Sequence, residues 1–199
     1  MWRIVLLFLS CLLLHACIES ETPLSRPGEF KNDSRLSGTW FTQNKDGTGY
    51  IHISSSKKDG WIDIATVAFD DKKGLDVDFC KGFTTPLKNG KFLNVRCRSN
   101  LEEELSEKYS EYQILDYDIS SENELRLRGW NGNYVQKNIK EGHIKGRKVK
   151  YFTTITDSTP NLVKFIEKSD IDRLFKEMTR QSGAEPLYKI EEPPTKNTK

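Results

Sequence analysis

Apolar and polar residues follow four different patterns along the chain. Residues 4–14 are almost continuously apolar, and residues 18–35 are polar with no period. Residues 36–156 contain short runs of β-type composition between turn signals, whereas residues 159–178 repeat apolar residues at helical spacing. Short alternating runs are typical of strands, and a spacing of three to four residues is typical of helices. The pattern therefore predicts a mainly β domain with helices at its carboxyl end.

The first stretch has the composition of an export signal. Arg3 supplies a positive charge, and residues 4–14 form an apolar run within the ~7–15 residues of a signal-peptide core. This run is shorter than the ~20 apolar residues that a membrane-spanning helix needs. We therefore predict that residues 1–16 are a signal peptide, with an uncleaved amino-terminal anchor as the alternative.

The end of this run, Leu14-His15-Ala16-Cys17, resembles the lipobox of bacterial lipoproteins. In that family the cysteine thiol receives a diacylglyceryl group, the signal is cleaved before the cysteine, and the new amino terminus is acylated. The resemblance implies that Cys17 is the lipid attachment site and that the membrane is a partner through this anchor. Ile18 is not the Asp that retains lipoproteins in the inner membrane under enteric-type sorting rules. The resemblance thus implies an outer-membrane protein of the cell envelope, with its domain facing the periplasm or the cell surface.

Residues 18–35 separate the predicted anchor from the predicted domain. They include Pro23, Pro27 and Gly28 and show neither strand nor helix periodicity, which is typical of a flexible linker. We predict a lipidated tether over residues 17–35, one domain over residues 36–190, and a disordered tail over residues 191–199.

Short apolar runs separated by turn signals are the predicted strands of this domain. They cover residues 36–43, 50–54, 61–69, 75–83, the segment after the 87–90 turn, 109–119, 124–130, 134–139 and 148–156. Residues 61–69 are apolar at odd and even positions, which predicts a strand buried on both faces. Residues 75–83 alternate, with Leu75, Val77, Phe79 and Phe83 on one face and Asp76, Asp78, Cys80 and Gly82 on the other. The charged segment 100–108 is expected to be a loop or a single helical turn.

Two cysteines favour one register for the first predicted hairpin. If residues 87–90 form its loop, Cys80 lies directly opposite Cys97. Directly opposed Cβ atoms are ~4.5–5.5 Å apart, which is close enough for a disulfide after small adjustment. A two-residue Asn-Gly turn would instead place Ser99 opposite Cys80. An even pair of cysteines in an exported chain favours the disulfide, and the absence of a C-x-x-C motif favours a structural rather than a redox role.

A second hairpin is predicted around a loop at residues 121–123. This loop places Asn123 at the position that needs a positive φ, which Asn tolerates. The resulting pairs are apolar on one face and oppositely charged on the other: Ile119–Leu125, Tyr117–Leu127, Asp118–Arg126 and Asp116–Arg128. One register satisfies both faces.

Helices are predicted within residues 159–180. Thr159 is a capping residue and Pro160 suits the first helical turn. Two apolar stripes follow: Leu162, Val163, Phe165 and Ile166, then Ile171, Leu174, Phe175 and Met178 in a second helix that begins at Ser169. We expect these stripes to pack against the β-structure. Residues 186–190 are expected to add a short strand.

The L-S-G-T-W motif of residues 36–40 opens the first predicted strand. This motif, followed by about eight strands and carboxyl-terminal helices, resembles the lipocalins. The resemblance implies an antiparallel up-and-down β-barrel of about eight strands with Trp40 at its closed end. It also implies an arginine packed on Trp40, for which Arg128 and Arg147 are both candidates, and an interior that can hold one small apolar ligand.

Charge and motif content argue against two other classes of function. The chain has 31 Lys and Arg against 29 Asp and Glu, a net charge of +2, with no basic stripe of the kind that nucleic acid needs. It contains no P-loop, H-E-x-x-H, paired cysteine cluster or G-x-S-x-G motif. We therefore predict no nucleic-acid partner, no metal, no cofactor and no enzymatic activity.

A few isolated side chains remain as candidates for chemistry. They are two histidines, three acids and two tryptophans: His52, His143, Asp63, Asp76, Asp78, Trp61 and Trp130. We expect the histidines to be structural and the acids to be solvated on the outer face of a strand. The tryptophans are expected in the core, with a pocket lining as the alternative.

Two functions are compatible with these predictions. One is a membrane-anchored barrel that binds a small apolar ligand. The other is a non-catalytic interaction module, a scaffold or inhibitor for another envelope protein. An open apolar lumen would favour the first, and a filled core with an exposed patch would favour the second.

Overall fold

The computed structural model describes residues 18–44, 47–55, 59–70, 74–97, 111–120, 123–149, 152–178 and 187–190. The predicted signal peptide at residues 1–16, the lipid attachment site Cys17, the charged segment 100–108 and the tail at residues 191–199 lie outside this part. The predictions made for those segments therefore stay predictions.

The described elements are strands, three helices and a short 3-10 turn at Ser34–Leu36. The strands are β1 (Ile18–Ser20), β2 (Gly38–Asn44), β3 (Gly47–Ser55), β4 (Ile62–Asp70), β5 (Gly74–Leu87), β6 (Gly90–Cys97), β7 (Gln113–Ile119), β8 (Glu124–Trp130), β9 (Gly146–Val149), β10 (Phe152–Ile155), β11 (Phe175–Glu177) and β12 (Leu187–Lys189). The helices are α1 (Gly132–Lys140), α2 (Thr159–Lys168) and α3 (Ile171–Leu174).

Eight strands close into an antiparallel barrel, which confirms the predicted fold class. Strands β2 to β8 pair with their sequence neighbours in an up-and-down order. The carboxyl-terminal strand β12 pairs antiparallel with both β2 and β8 and so completes the ring. The short strand expected within residues 186–190 is therefore the element that closes the barrel.

Both hairpin registers that the sequence predicted are present. Cys80 lies opposite Cys97 and is bonded to it, with an S–S distance of 2.09 Å. In the second hairpin all four predicted pairs form, including Asp116 with Arg128. Asn123 has a φ of 57°, the positive value that its place in the loop required.

Two segments predicted as the last barrel strands are placed elsewhere. Residues 134–139 belong to helix α1, because Val135 and Ile139 are one helical turn apart and both pack into one apolar cluster. Residues 148–156 contribute to the β9–β10 hairpin, which joins β1 in a separate three-stranded sheet. The prediction that these segments complete the barrel was wrong.

The second predicted helix is shorter than its apolar stripe suggested. Helix α3 ends at Leu174, and Phe175 begins β11, where it lies opposite Trp130 of β8. Phe175 stacks on the Trp130 ring, with a centroid distance of 4.5 Å. The pairing with an edge of β8 therefore overrides the helical spacing from residue 175 onward.

The described residues form two apolar cores, one inside the barrel and one outside it. The inner core is formed by inward-facing residues such as Trp40, Ile51, Ile64 and Leu127. The outer core covers β6, β7 and β8, from which Phe92, Ile114 and Trp130 point outward. Buried residues of β1, β10 and the helices complete this outer core: Ile18, Val135, Ile155, Leu162, Ile166 and Leu174. Helix α2 thus packs against the barrel wall, as predicted.

The segment 18–35 differs from the flexible tether that its polar composition predicted. Ile18 is 0% exposed, and Leu24 is buried with its backbone N–H donating to the side-chain oxygen of Asn94 at 2.8 Å. The hydroxyls of Ser25 and Thr85 lie 2.6 Å apart. A few apolar residues and hydrogen bonds to buried polar side chains therefore hold this segment on the barrel, and the folded domain includes residues 18–35.

Candidate functional site

Side chains fill the part of the barrel interior that the described residues line. A cavity of about 40 Å³ remains among the described residues, lined by Ile51, Ile53, Ile64, Thr66, Cys80, Leu93, Val95, Leu115, Leu125, Leu127 and Met178. The Thr66 hydroxyl in this lining has no hydrogen-bond partner in the part of the chain that the structure describes. A buried water needs two to four polar partners, so this space is suited to neither water nor a polar ligand. Ligand pockets usually measure ~300–1,000 Å³, so the described cavity is far too small for an acyl chain.

Trp40 sits in the barrel core beside Leu36 and the last strand. Its indole N–H donates to the carbonyl of Leu36 at 2.8 Å, and the ammonium of Lys189 lies 5.3 Å from its ring centroid. Gly38 has a φ of 130°, and a Cβ added there would lie 2.7 Å from Cε of Lys189. The glycine of the G-x-W motif therefore leaves room for the Lys189 side chain that reaches the ring.

The two arginines proposed for contact with Trp40 are occupied elsewhere. Arg128 is paired with Asp116 and Asp172, each at 2.6 Å, and Arg147 is paired with Glu21 at 2.8 Å. The cation over the ring is Lys189 of β12. Both candidates were wrong, because the sequence did not show that β12 would lie beside β2.

Asp33 links the loop before β2 to the barrel. Its carboxylate accepts hydrogen bonds from the Arg35 guanidinium, which lowers the pKa of Asp33 to about 2. Lys91 lies 3.5 Å from the same carboxylate, and the hydroxyl of Tyr117 is 3.4 Å away. Burial raises the pKa of Tyr117, and the negative charge of Asp33 adds to this effect. These contacts fasten the loop across the barrel.

A cleft of about 700 Å³ lies beside this loop, between Phe30, Asp33, Asp59 and Ile62. Two of the polar residues that line it, Asn32 and Asp33, serve the fold. The Asn32 amide donates to the carbonyl of Gly60, and its oxygen accepts from the backbone of Thr84, each at 2.8 Å. Lys31, Ser34, Ser37 and Asp59 also line the cleft.

The outer surface of β12, β2, β3, β4 and β5 carries a continuous apolar patch, which we call the apolar wall. Residues paired across antiparallel strands share a face, and Ile51 and Ile64 point inward, so their sequence neighbours point outward. The wall consists of Tyr188, Phe41, Tyr50, Val67 and Val77 in one cross-strand row, with Thr39, His52, Ala65 and Phe79 on one side of it and Thr48, Phe69 and Leu75 on the other. None of these residues carries a formal charge when His52 is neutral.

Several side chains of the apolar wall are open to solvent. Leu75 is 68% exposed, and Phe69 and Phe79 are each 51% exposed. Phe41 and Tyr50 contact each other on adjacent strands, with ring centroids 5.3 Å apart. Exposed aromatic residues that lie side by side over five strands form a patch, which differs from the single exposed apolar residues that are normal on protein surfaces.

The apolar wall explains the composition of residues 61–69. Ile62 and Ile64 point into the barrel, whereas Val67 and Phe69 belong to the wall and Phe69 is exposed. The prediction that this strand is buried on both faces was therefore wrong. Odd and even positions are both apolar because one set fills the lumen and the other set builds an exposed surface.

The three candidate acids are divided between the two faces of the sheet. Asp63 lies outward, opposite Lys81 and beside the wall, where both residues line a surface depression of about 350 Å³ together with His52 and Phe79. Asp76 and Asp78 lie on the inward face of β5, where Asp78 is opposite Thr66, so the expectation that they occupy the outer face was wrong. Desolvation and the neighbouring Asp76 raise the pKa of Asp78. The structure thus brings Asp76 and Asp78 near each other and leaves Asp63 apart.

The remaining candidate residues, the two histidines and the two tryptophans, make contacts within the fold. His52 contacts the hydroxyl of Thr39 at 2.9 Å, and His143 contacts the amide oxygen of Asn138 at 3.1 Å. Trp130 is buried in the outer core, and Trp61 packs edge-on against Phe83. Within the described ranges, no group of three His, Cys, Asp or Glu residues is arranged to hold a metal ion, and no helix has the length and apolar character needed to cross a bilayer.

The fold defines a closed antiparallel β-barrel with a filled interior and one half of its outer surface covered. Comparison with protein-family models, curated proteins and solved structures found no match in any of the three. The likeness to lipocalins accordingly concerns the G-x-W motif and the barrel architecture alone.

Proposed function

We propose that the protein is a lipoprotein of the bacterial cell envelope whose barrel is a non-catalytic interaction module for another envelope protein. The anchor is a lipid on Cys17, and the residue after it, Ile18, favours the outer membrane. The observation that carries the proposal is the uncharged, exposed apolar wall on a barrel whose interior is already filled.

The size of the apolar wall supports a protein partner. Phe69, Phe79, Tyr50 and Tyr188 are 51%, 51%, 37% and 44% exposed. Taking ~200 Å² for each aromatic side chain, these four expose roughly 350 Å² together, before Leu75 and the smaller residues are added. The largest apolar patch of a typical monomer is ~300–600 Å² and often functional, and a standard protein interface uses ~800 Å² per partner. The wall is thus large enough to be the centre of an interface.

The filled lumen favours this function over transport of a small apolar ligand. The described cavity of about 40 Å³ is several-fold smaller than the ~300 Å³ at which ligand pockets begin. The depression between Asp63 and Lys81 offers charged groups of both signs at the edge of the wall. An apolar centre with a charged rim is the usual composition of a protein interface.

Position-specific photo-crosslinking in the producing cell tests the interaction. A photoreactive phenylalanine analogue replaces Phe79 on the wall, and a control replaces Lys164 on α2, which is also exposed. We expect an adduct of defined mass from position 79 that is absent from position 164. A second substitution, Phe69→Asp, is expected to remove the adduct, whereas Lys164→Asp leaves it. Equal adducts from both positions, or none from position 79, would overturn the proposal.

The anchor is tested separately by metabolic labelling with a fatty acid. We expect the wild-type chain to take up label and the Cys17→Ser variant to take up none. Label retained by Cys17→Ser, or absent from the wild type, would remove the lipoprotein part of the proposal and leave the apolar wall untouched.

A further inference from the structure

We infer that the three-stranded sheet β1–β10–β9 and helix α1 lie directly on the membrane surface and bind its anionic headgroups. The inference rests on the lipid anchor at Cys17. Ile18 follows Cys17 directly, so their Cα atoms are ~3.8 Å apart. Ile18 is also 0% exposed and lies opposite Thr153 of β10. No spacer therefore separates the anchor from the folded domain.

The strand pairing shows which surface lies nearest the anchor. Thr153 is paired with Ile18 on one side and with Lys148 on the other. Neighbouring strands are ~4.8 Å apart, so the backbone of Lys148 is roughly 10 Å from that of Ile18. Phe152 is 40% exposed and lies at the end of the sheet from which the chain enters β1. An exposed aromatic ring beside a lipid anchor suits the boundary between headgroups and acyl chains.

Helix α1 belongs to the same surface. The Gln136 amide donates to the hydroxyl of Thr153 at 3.1 Å. Ile139 packs against the backbone of Gly146, where a Cβ would lie 2.4 Å from Cδ1 of Ile139. These two contacts hold α1 beside β10 and β9, so the charges on α1 and β9 act at one surface.

That surface is basic in a chain of near-neutral charge. Residues 131–149 contain one acid, Glu141, and five exposed basic residues, and β1 adds one acid, Glu19, whereas the whole chain has a net charge of only +2. The basic residues are Lys137, Lys140, Lys145, Arg147 and Lys148. Lys137 is 3.8 Å from Glu141 and Arg147 is paired with Glu21, while Lys140 and Lys148 make no ion pair within the described residues. Anionic phosphates of the lipid headgroups are the complementary partner.

This orientation turns the apolar wall away from the membrane. Ser20 of β1 is bridged to Tyr112, just before β7, with its backbone N–H donating to the Tyr112 carbonyl at 2.8 Å. In a ring of eight strands β7 lies opposite β3, which is the centre of the wall. Membrane and protein partner therefore occupy opposite sides of the barrel and do not compete.

Vesicle binding of the mature chain with Cys17→Ser tests the surface without the lipid anchor. The probe is a vesicle of phosphatidylcholine with 30% phosphatidylglycerol at low salt, and pure phosphatidylcholine is the reference. One basic residue near an anionic membrane strengthens binding about fivefold. We therefore expect the triple variant K140E/K145E/K148E to bind on the order of 100-fold more weakly. The control K31E/K81E/K88E changes the charge equally at lysines outside this surface, of which Lys81 is half-buried, and is expected to bind within threefold of the parent.

Equal weakening by both triple variants, or by neither, would overturn the inference. Hydrogen exchange of the full lipidated chain on the same vesicles is the second measurement. Slower exchange at residues 145–149 with no change across β3 and β4 is expected, and the reverse pattern would contradict the orientation. Because vesicle binding is measured without the acyl chain, its failure is distinguishable from the failure of lipidation in the fatty-acid experiment.

Discussion

At the residue scale, Trp40 and its neighbours hold one end of the barrel together. The ring is fully buried, its N–H is bonded to Leu36, and Lys189 of the closing strand covers it. A single residue thus connects the loop before β2 with the strand that completes the ring.

Trp40→Ala is expected to lower the free energy of unfolding by ~3–5 kcal/mol, because the change removes ~150–250 Å² of buried aromatic surface and leaves a cavity. Denaturant unfolding at equilibrium measures this loss. Trp61→Ala is the matched control, since Trp61 is only partly buried. A loss at Trp40 no larger than at Trp61 would contradict its role in the core.

Asp33 predicts a pH dependence of stability. Its pKa is lowered to about 2 in the folded chain by the hydrogen bond from Arg35, against 3.8 ordinarily. A depressed folded-state pKa stabilises the fold above the unfolded value, and this contribution is lost as the pH falls through about 2. We expect Asp33→Asn to be less stable than the parent at pH 6. The difference should shrink between pH 4 and pH 2, and a constant difference over that range would refute this explanation.

At the element scale, successive residues of β4 face opposite sides of the barrel sheet. Ile64 faces the lumen, and Phe69 belongs to the apolar wall. Ile64→Ala should lower the free energy of unfolding by ~2–5 kcal/mol because Ile64 is buried in the barrel. Phe69→Ser should cost less than ~1 kcal/mol because half of Phe69 is already in water. The pair is compared by chemical denaturation. A similar loss of unfolding free energy at both positions would mean that the Phe69 side chain is shielded from water in solution.

The disulfide joins β5 and β6 at the end of their pairing. Closing a loop of this length is expected to contribute ~2–4 kcal/mol. Unfolding with and without reductant measures the contribution, and a difference near zero would contradict it. Thiol titration of the unfolded, unreduced chain checks the bond itself, since Cys80 and Cys97 should give no reaction.

Sequence patterns predicted the parts of the fold that depend on local pairing. Three local features each indicated a register: Asn123 in its turn, the opposed charges of Asp116 and Arg128, and the two cysteines. They could do so because turn geometry and cross-strand pairs act over a few residues. Closure by β12 was not predictable, because nothing local to residues 187–189 indicates that β2 and β8 are its neighbours.

The candidate site was missed for a related reason. Periodicity shows that residues 61–69 are apolar at all positions, and it cannot distinguish burial on both faces from an exposed apolar surface. The alternation of Leu75, Val77 and Phe79 with acids by itself predicts an inward apolar face, so it could not indicate that these residues build the wall. Residues 18–24 have the composition of a linker because only two of them, Ile18 and Leu24, fill the outer core.

At the scale of the whole molecule, the barrel has two unlike halves. The outer surface of β6, β7 and β8 is covered by helices and the small sheet, and the outer surface of β2 to β5 and β12 is the apolar wall. The lumen between them is a packed core. On this account the protein acts through its outer surface, with the barrel as a rigid support.

Native mass spectrometry tests this claim most directly. The delipidated, disulfide-bonded domain is incubated with envelope lipids, and its mass is measured under non-denaturing conditions. An Ile64→Ala variant, whose lumen is enlarged, is measured in parallel. The account predicts that the parent chain retains no lipid in its lumen, so any lipid held at the basic surface is lost in the variant K140E/K145E/K148E. Stoichiometric lipid that survives both Phe79→Asp on the wall and K140E/K145E/K148E would place an apolar ligand in the lumen and contradict the account.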